Sequence, residues 1–391
     1  MTQAIDGYVR VAAATPSIRV ADCAYNAERI LDLMRRAAEE EVGLLCLPEL
    51  CITGYTCGDL FLQRKLLNSA LDALSYLVAE SASSPLAVVA GLPFPLDGQL
   101  FNVAAVFGGG RLFGIVPKAN LPNYGEFYEL RHFLPAQQGT RVVRTCGSDV
   151  PMGTKLIFRC ESEGSFRFAA EICEDLWIPA PPSCFHAMAG ALVIVNSSAS
   201  DETIGKSAYR RQLAAIQSGR LVCGYVYSNA GHGESSTDMV FSGHNLICEN
   251  GALLAESPPF GGGWTVSDID IRALEQDRRR MNTWRPDSTG YSTIEYLPGT
   301  RPLSNLRRRI DPCPFVPSDE SERNARCEAI LDMQVAGLEK RLEHTNSRTA
   351  VVGISGGLDS CLALLVTSRA MVKLGRPMSD IMAVTMPCFG T

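Results

Sequence analysis

The chain has 391 residues, of which 46% are hydrophobic and 20% charged, with a net charge of −6 and a pI near 5.5. This length allows two or three domains, and the acidic balance argues against a general binder of nucleic acid or anionic membranes. The N-terminus lacks the basic and apolar regions of a signal peptide, and no apolar run approaches the ~18 residues of a membrane span. We therefore expect a cytoplasmic protein without nucleic-acid or membrane partners.

The cysteines and histidines do not form a metal-binding pattern. None of the fourteen cysteines belongs to a CxxC pair, and the five histidines are scattered along the chain. We interpret the cysteines as reduced thiols and expect no metal site among these residues.

Up to about residue 285, short apolar runs alternate with longer helical patterns. The runs predict buried strands at 42–47, 86–91, 112–116, 166–172, 192–196 and 222–228. Helical periodicity covers Asn26–Glu41 and Lys206–Leu221. This alternation predicts an α/β fold for residues 1–285.

Residues 286–320 differ from what precedes them. They are rich in proline, serine and arginine and have no sustained period, so we interpret them as a linker. Two arginine runs, at 278–280 and 307–309, are typical of solvated or interface charges rather than of a nucleotide site.

A new unit begins at about residue 321 and continues to residue 391. The patterns predict a helix, a strand at 349–355, a second helix over Cys361–Lys373 and a strand at 381–386. One βαβ unit cannot complete a doubly wound sheet, because parallel strands need helices and neighbours on both faces. We expect an incomplete Rossmann-like βαβ unit, the front of a truncated domain.

Three chemically capable residues come directly after predicted strands of the first domain. Glu49 follows the strand at 42–47, Lys118 follows the strand at 112–116, and Cys173 comes at the end of the strand at 166–172. Because ligands bind at the carboxyl ends of strands in α/β sheets, these side chains are expected to meet at one edge.

Each of the three has an ordinary alternative explanation. A glutamate after a strand is often a loop or cap residue, a lysine is usually a surface charge, and a cysteine is commonly a small buried hydrophobe. Two acids, Glu174 and Asp175, also follow Cys173, and nearby carboxylates raise the pKa of a thiol. Together, however, a thiol nucleophile, a carboxylate base and a cation for the oxyanion are what hydrolysis of an amide requires.

Longer stretches around these residues resemble a known family. LPEL, GIVPKANLPNYGEFYELRHF and EICEDLW are similar, in order and separation, to the three signatures of the nitrilase superfamily of carbon–nitrogen hydrolases. NLPNYGEFYE, NSSASDETIGK and GHGESSTDMVFSGHN resemble more narrowly the glutaminase domain of glutamine-dependent NAD⁺ synthetases. The resemblance implies a four-layer αββα sandwich, a homo-oligomer, and hydrolysis of L-glutamine to glutamate and ammonia without a cofactor.

The resemblance also implies roles for individual residues. Glu49 would be the general base, Lys118 the oxyanion stabiliser, and Cys173 the nucleophile that forms a glutamyl thioester. A second glutamate would orient the lysine, and Glu129 matches its position better than Glu126.

Five further residues would bind the substrate. Tyr124 and Phe127 would wall the glutamine pocket, although plain core packing explains them nearly as well. Glu174 and Ser200 would hold the α-amino and α-carboxylate groups. Relatives often have arginine at the position of Lys206, where this chain would lack a bidentate clamp.

The segment SGGLDS, at 355–360, lies between a predicted strand and a predicted helix. Glycines and N–H groups at the start of a helix can bind phosphate. The SGGLDS motif resembles the pyrophosphate loop of N-type ATP pyrophosphatases. The resemblance implies that ATP, with Mg²⁺, is bound through Ser355, Gly356, Gly357, Asp359 and Ser360. In an intact synthetase the ammonia would amidate deamido-NAD⁺.

Two alternatives remain open. The first alternative to a glutaminase is a general nitrilase-type amidase that acts on another small amide. The second is a non-catalytic fragment that assembles with intact subunits. The SGGLDS loop favours the glutaminase of a synthetase, since an amidase does not use ATP.

Overall fold

Two β-sheets and their flanking helices form the first of two units in the computed structural model. The units are Met1–Arg309 and Ile310–Thr391. The structure describes residues 5–160, 166–296 and 303–386. Among these residues, none of the helices has the length and apolar composition needed to cross a membrane.

Within the described residues, the first unit has fifteen strands. They are β1 (Tyr8–Ala14), β2 (Leu44–Cys46), β3 (Ala87–Leu96), β4 (Gln99–Gly108), β5 (Arg111–Pro117), β6 (Arg141–Thr145), β7 (Ser148–Met152), β8 (Leu156–Cys160), β9 (Arg167–Ile172), β10 (Val193–Ser198), β11 (Gly224–Asn229), β12 (Leu246–Glu249), β13 (Ala252–Glu256), β14 (Trp264–Asp270) and β15 (Ser292–Tyr296). Its helices are α1 (Cys23–Glu39), α2 (Arg64–Glu80), α3 (Pro182–Met188), α4 (Lys206–Leu221) and α5 (Ile271–Arg280).

The strands form two sheets. One has the order β14-β1-β2-β3-β4-β5-β7-β6, and the other has the order β13-β12-β11-β10-β9-β8-β15. The last strand, β15, pairs in parallel with β8, so the first part of the predicted linker belongs to the second sheet. The predicted boundaries at 285 and 320 stay a prediction.

Alternation along the strands creates three apolar layers, because successive side chains point to opposite faces. On β10, Val193 and Val195 lie in the core between the sheets, whereas Ile194 faces α3 and α4. The outer face of the first sheet packs likewise against α1 and α2, in a third core. Helices therefore cover both outer faces, and the predicted α/β sandwich is confirmed.

Arg278 differs from the prediction of solvated arginine runs. Its guanidinium is buried and donates to the carbonyl oxygens of Leu221 and Val222 at 3.0 Å and of Ala191 at 2.8 Å. Carbonyl groups at the end of α4 have no partner within the helix, so a buried cation can stabilise them. Arg279 and Arg280 are exposed, as predicted.

A buried ion pair joins two strands of the first sheet. Arg10 on β1 lies opposite Asp268 on β14, and its Nε is 2.7 Å from Asp268 Oδ1. Both side chains are buried, so removing the cation leaves an uncompensated carboxylate. We expect Arg10→Met to lower the free energy of unfolding by about 3–5 kcal/mol in urea titrations.

The control is Arg144→Met, which breaks a pair with Asp149 whose side chains are 70% and 66% exposed. This change should cost at most about 1 kcal/mol, as exposed pairs do. Equal losses from the two variants would contradict the assignment of Arg10–Asp268 as a structural pair.

The second unit contains α6 (Glu320–Thr345), β16 (Ala350–Gly353), α7 (Leu358–Lys373) and β17 (Ile381–Val384). The two strands are parallel and pair from Ala350↔Ile381 to Gly353↔Val384, with α7 as the connection. Val335 of α6 packs against Val366 and Ala370 of α7. The predicted βαβ unit is therefore confirmed, and residues 387–391 lie outside the described residues.

Candidate active site

Glu49, Lys118 and Cys173 lie at strand ends of the two facing sheets. Glu49 follows β2, Lys118 follows β5 directly, and Cys173 follows β9. All three side chains are buried, with exposed fractions of 1%, 0% and 5%. The sandwich thus brings the three predicted residues into one buried site between the sheets.

Lys118 lies between two carboxylates. Its Nζ is 2.6 Å from Glu49 Oε1 and 2.7 Å from Glu129 Oε1. Burial alone would lower the pKa of Lys118, but the charges of Glu129 and Glu49 raise it well above its usual value. The lysine is therefore a fixed cation rather than a proton donor.

Glu49 is held by more than the lysine. Asn102 on β4 donates to Glu49 Oε1 at 2.6 Å, and the backbone N–H of Ala199 donates to Glu49 Oε2 at 2.9 Å. The loop that carries Glu49 crosses β3 at Gly91, where a Cβ would lie 2.7 Å from the carbonyl carbon of Glu49. Only glycine permits this close approach.

Glu129 is the buried member of the two glutamates considered for this position, whereas Glu126 is exposed. Tyr55 donates its hydroxyl to Glu129 Oε1 at 2.8 Å. Burial raises the pKa of Glu129 to about 7, against the opposing effect of Lys118. Two carboxylates thus share one ammonium, Lys118.

Cys173 lies in a sharp turn at the end of β9, with φ of 44°. Its backbone N–H donates to Asn196 Oδ1 at 3.1 Å. Burial raises the pKa of its thiol strongly, Glu49 and Glu129 raise it further, and Lys118 lowers it. The resting thiol is therefore protonated, and a nucleophilic role would require a base to remove its proton.

The two acids after Cys173 form hydrogen bonds with groups other than the thiol. Glu174 Oε1 accepts from the Tyr124 hydroxyl at 2.7 Å. Asp175 accepts from Ile172 N at 3.0 Å and from the backbone and side chain of Asn120 at 2.9 and 2.7 Å. Asp175 therefore ties the turn of Cys173 to the loop of Lys118.

Lys206 lies beside Phe127, another predicted binding residue. Its ammonium pairs with Asp201 and lies 5.6 Å from the centre of the Phe127 ring and 5.8 Å from that of Trp177. Tyr124 is largely exposed and packs edge-on against Phe127. A cation and aromatic rings therefore lie close to the Tyr124–Glu174 pair.

Ser200 is buried, and its hydroxyl accepts from Arg210 Nη2 at 3.1 Å. Arg210 is fully buried and also binds Glu202 and His244 at 3.0 and 2.9 Å. The hydroxyl oxygen of Ser200 is thus already engaged by a buried guanidinium.

Sequence reasoning missed several residues that hold this site. Asn102, Asn196 and Tyr55 contact Glu49, Cys173 and Glu129 as described above. A signal existed for the two asparagines, because each directly follows an apolar run of a predicted or observed strand, and a buried amide must find a partner.

Comparison with protein families identifies the first unit. The carbon-nitrogen hydrolase family matches residues 10–279, about two thirds of the chain. The chain belongs to the carbon-nitrogen hydrolase family. The buried glutamate, lysine and cysteine thus lie in a domain of a hydrolase family, and the predicted nitrilase-like fold is confirmed.

Similar proteins combine this domain with a second one. The glutamine-dependent NAD(+) synthetase of Mycobacterium tuberculosis is 40% identical over 395 residues, which cover 98% of this chain and 58% of the mycobacterial protein. That of Mycobacterium leprae is 38% identical over 396 residues, with the same shares. The chain thus spans 58% of the length of these relatives.

Solved structures agree with the fold of this carbon-nitrogen hydrolase. A glutamine-dependent NAD(+) synthetase from Cytophaga hutchinsonii has a TM-score of 0.61 and 25% identity, covering 94% of this chain and 52% of that one. Nit3 of Saccharomyces cerevisiae, a nitrilase-superfamily member, has a TM-score of 0.56 and 18% identity, covering 71% and 96%. The yeast protein supports the fold alone.

The NAD synthase family matches residues 330–391, in the second unit. Residues 355–357 lie in the loop between β16 and α7, residues 358–360 begin α7, and Gly356 has φ of 86°. Within these residues, Ser360 Oγ donates to the carbonyl oxygen of Gly357 at 2.9 Å, and Gly357 N donates to Ser355 Oγ at 3.3 Å. The predicted phosphate loop therefore has the strand–turn–helix setting that such loops require.

Proposed function

We propose that this carbon-nitrogen hydrolase releases ammonia from L-glutamine as the glutaminase part of a glutamine-dependent NAD⁺ synthetase. The observation that carries this proposal is the buried ammonium of Lys118, held by Glu49 and Glu129 beside the Cys173 thiol. The names of the mycobacterial relatives supply the substrate class.

Cys173 Sγ attacks the side-chain carbonyl carbon of glutamine. Glu49 takes the thiol proton, and Lys118 stabilises the oxyanion that forms on the carbonyl oxygen. Because Asn196 occupies the N–H of Cys173, the backbone donor left for the oxyanion is the N–H of Glu174. Glu49 then gives its proton to the leaving nitrogen, the carbon–nitrogen bond breaks, and ammonia departs from a glutamyl thioester.

Water completes the reaction. Glu49, again a carboxylate, removes a proton from water as the oxygen attacks the thioester carbonyl. The carbon–sulfur bond breaks, the proton returns to sulfur, and glutamate leaves. No cofactor takes part in this half of the reaction. Glu129 keeps Lys118 in position throughout, because its carboxylate is anchored by Tyr55.

Glu174 and Tyr124 bind the amino-acid end of glutamine. The Glu174 carboxylate, paired with the Tyr124 hydroxyl, accepts the α-ammonium, while Ser200 and Lys206 receive the α-carboxylate and Phe127 covers the aliphatic chain. Lys206 acts as a point charge rather than a bidentate clamp.

The second unit belongs to the part of a synthetase that would consume the ammonia. We propose that Ser355, Gly356, Gly357, Asp359 and Ser360 bind the pyrophosphate of ATP, which enters with Mg²⁺. ATP would activate the carboxylate of deamido-NAD⁺, and ammonia would displace AMP to give NAD⁺. The support is the match of residues 330–391 to the NAD synthase family.

The test is Glu174→Gln assayed on glutamine and on a small neutral amide such as propionamide. Loss of the charge opposite the α-ammonium should lower kcat/KM for glutamine by about 10- to 100-fold, as loss of a charged hydrogen bond does. Turnover of propionamide and the alkylation rate of Cys173 should change less than about threefold, since neither needs that charge. Released ammonia measures turnover, and mass spectrometry measures alkylation.

Glu126→Gln changes an exposed glutamate near Tyr124; it is the matched control and should leave all three rates unchanged. Wild-type preference for propionamide would favour a general amidase, and no turnover of either amide would favour a non-catalytic fragment. A sharp rise in alkylation of Glu174→Gln would show that Glu174 suppresses the thiolate instead.

A further inference from the structure

Behind Cys173, a chain of buried hydrogen bonds crosses three neighbouring strands. Asn196 on β10 accepts the N–H of Cys173 at 3.1 Å and the hydroxyl of Ser198 at 2.6 Å. Its amide nitrogen donates to Tyr225 Oη on β11 at 3.1 Å, and Tyr225 donates to Glu171 on β9. The residues that form this series of hydrogen bonds are fully or almost fully buried.

Every hydrogen bond in this chain has a defined direction. Glu171 Oε1 accepts from Tyr225, and Glu171 Oε2 accepts from the N–H of Ser183 at 2.7 Å. Since the single proton of Tyr225 points to Glu171, Tyr225 Oη is free to accept from Asn196. The Asn196 amide is thereby oriented with its oxygen towards Cys173, which needs support because its φ is 44°.

We propose that Glu171, Tyr225 and Asn196 form a relay of positioning residues that orients the turn of Cys173 only while Glu171 is ionised. The proposal rests on the proposed function of Cys173 as nucleophile. In this proposal, residues that do not touch the substrate make the orientation of Cys173 depend on the protonation of Glu171.

Protonation of Glu171 reverses the relay. Each carboxylate oxygen has two lone pairs, and one on each already accepts a donor, Tyr225 on Oε1 and Ser183 on Oε2. A proton placed on either of these two occupied lone pairs opposes the donor that it meets. The Ser183 N–H cannot turn, but the Tyr225 hydroxyl can rotate towards Asn196, where it meets the amide nitrogen. The Asn196 amide then either loses a partner or flips its nitrogen towards the N–H of Cys173, and each outcome leaves buried donors unpaired.

The titration falls close to neutral pH. Burial raises the pKa of Glu171 to about 7, Asp175 raises it as well, and the bonds from Tyr225 and Ser183 oppose the shift. Besides Asp175, the titratable groups that face Glu171 are Tyr225, Cys223 and Tyr291, whose pKa values it raises. The three remain neutral over the pH range of the experiment, because burial raises their pKa values above the ordinary values of cysteine and tyrosine.

The experiment compares kcat and KM of wild type and Tyr225→Phe from pH 5.5 to 8.5. At pH 8 the variant should lose about tenfold in kcat with KM unchanged, as one hydrogen bond that orients the nucleophile is lost. The ratio of the two kcat values should fall towards one below pH ~7, because the wild-type relay is then protonated and already broken. Glu171→Gln should show the same pH dependence of kcat as Tyr225→Phe, because the amide group of glutamine donates a hydrogen bond where the carboxylate of Glu171 accepts one.

The ratio of the two kcat values distinguishes the relay from an effect of Glu129, which titrates in the same pH range. Both proteins contain Glu129, so its contribution cancels in the ratio. Tyr291→Phe is the matched control, because its hydroxyl bonds to His186 Nδ1 at 2.8 Å, outside the relay. Its kcat should equal that of wild type throughout. A ratio that is constant with pH, or a Tyr225→Phe kcat equal to wild type, would overturn the proposal.

Alkylation of Cys173 by iodoacetamide gives a second readout. The same pH-dependent ratio of alkylation rates should appear, whether or not glutamine is the substrate. If Cys173→Ala still hydrolyses glutamine, the proposed function fails, and the alkylation ratio alone decides the relay. Thermal unfolding of each variant shows whether it has folded.

Discussion

Cys173→Ala should lower glutamine hydrolysis by at least about 10³-fold, because the step that forms the thioester has lost its nucleophile. The buried thiol is protonated at rest, so its reactivity depends on Glu49 and Lys118 rather than on a low intrinsic pKa. Ammonia release under saturating glutamine measures the loss. Mass spectrometry of the wild type, quenched in acid, should show a glutamyl adduct on the peptide that contains Cys173.

The matched control is Cys248→Ala, a fully buried cysteine on β12 in the second sheet. It removes the same atom from the same sheet and should keep kcat within about twofold, with at most a modest loss of stability. Equal ammonia release from wild type and Cys173→Ala would end the assignment of Cys173 as nucleophile.

Lys118→Met should affect both activity and stability. Loss of the oxyanion's cation is expected to lower kcat by about 10²- to 10³-fold. The substitution also leaves Glu49 and Glu129 buried without their shared counter-charge, which should lower the free energy of unfolding by about 3–5 kcal/mol. Glutaminase assays and urea titrations measure the two effects.

A double variant separates the two effects. Adding Glu129→Gln to Lys118→Met removes one of the uncompensated carboxylates, so stability should partly return while kcat stays low. Recovery of kcat together with stability would mean that Lys118 acts only by holding the fold. No recovery of stability would mean that Glu129 does not carry the unpaired charge.

Sequence reasoning located much of this molecule correctly. The apolar runs coincide with β2, β3, β5, β9, β10 and β11, because a buried strand needs apolar side chains on both faces. It also placed Glu49, Lys118 and Cys173 at strand ends, and the sandwich does bring these ends together.

Other features could not be read from local pattern. The strand β15 lies in a segment without apolar periodicity and is held in the second sheet by pairing with β8. Arg278 belongs to a run of three arginines that look alike in sequence, yet only its position below the end of α4 makes it a buried donor.

The amino-acid sequence by itself determined the strand ends, the candidate reactive side chains and the family of the first domain. Those properties follow from residue types and short spacings along one segment. Only the tertiary structure decided that Glu174 turns to Tyr124, that Lys118 is shared by two carboxylates, and that Asn196 supports Cys173. Each of these depends on how strands distant in sequence lie beside one another, and buried polar groups then pair with whichever partner the packing brings within reach.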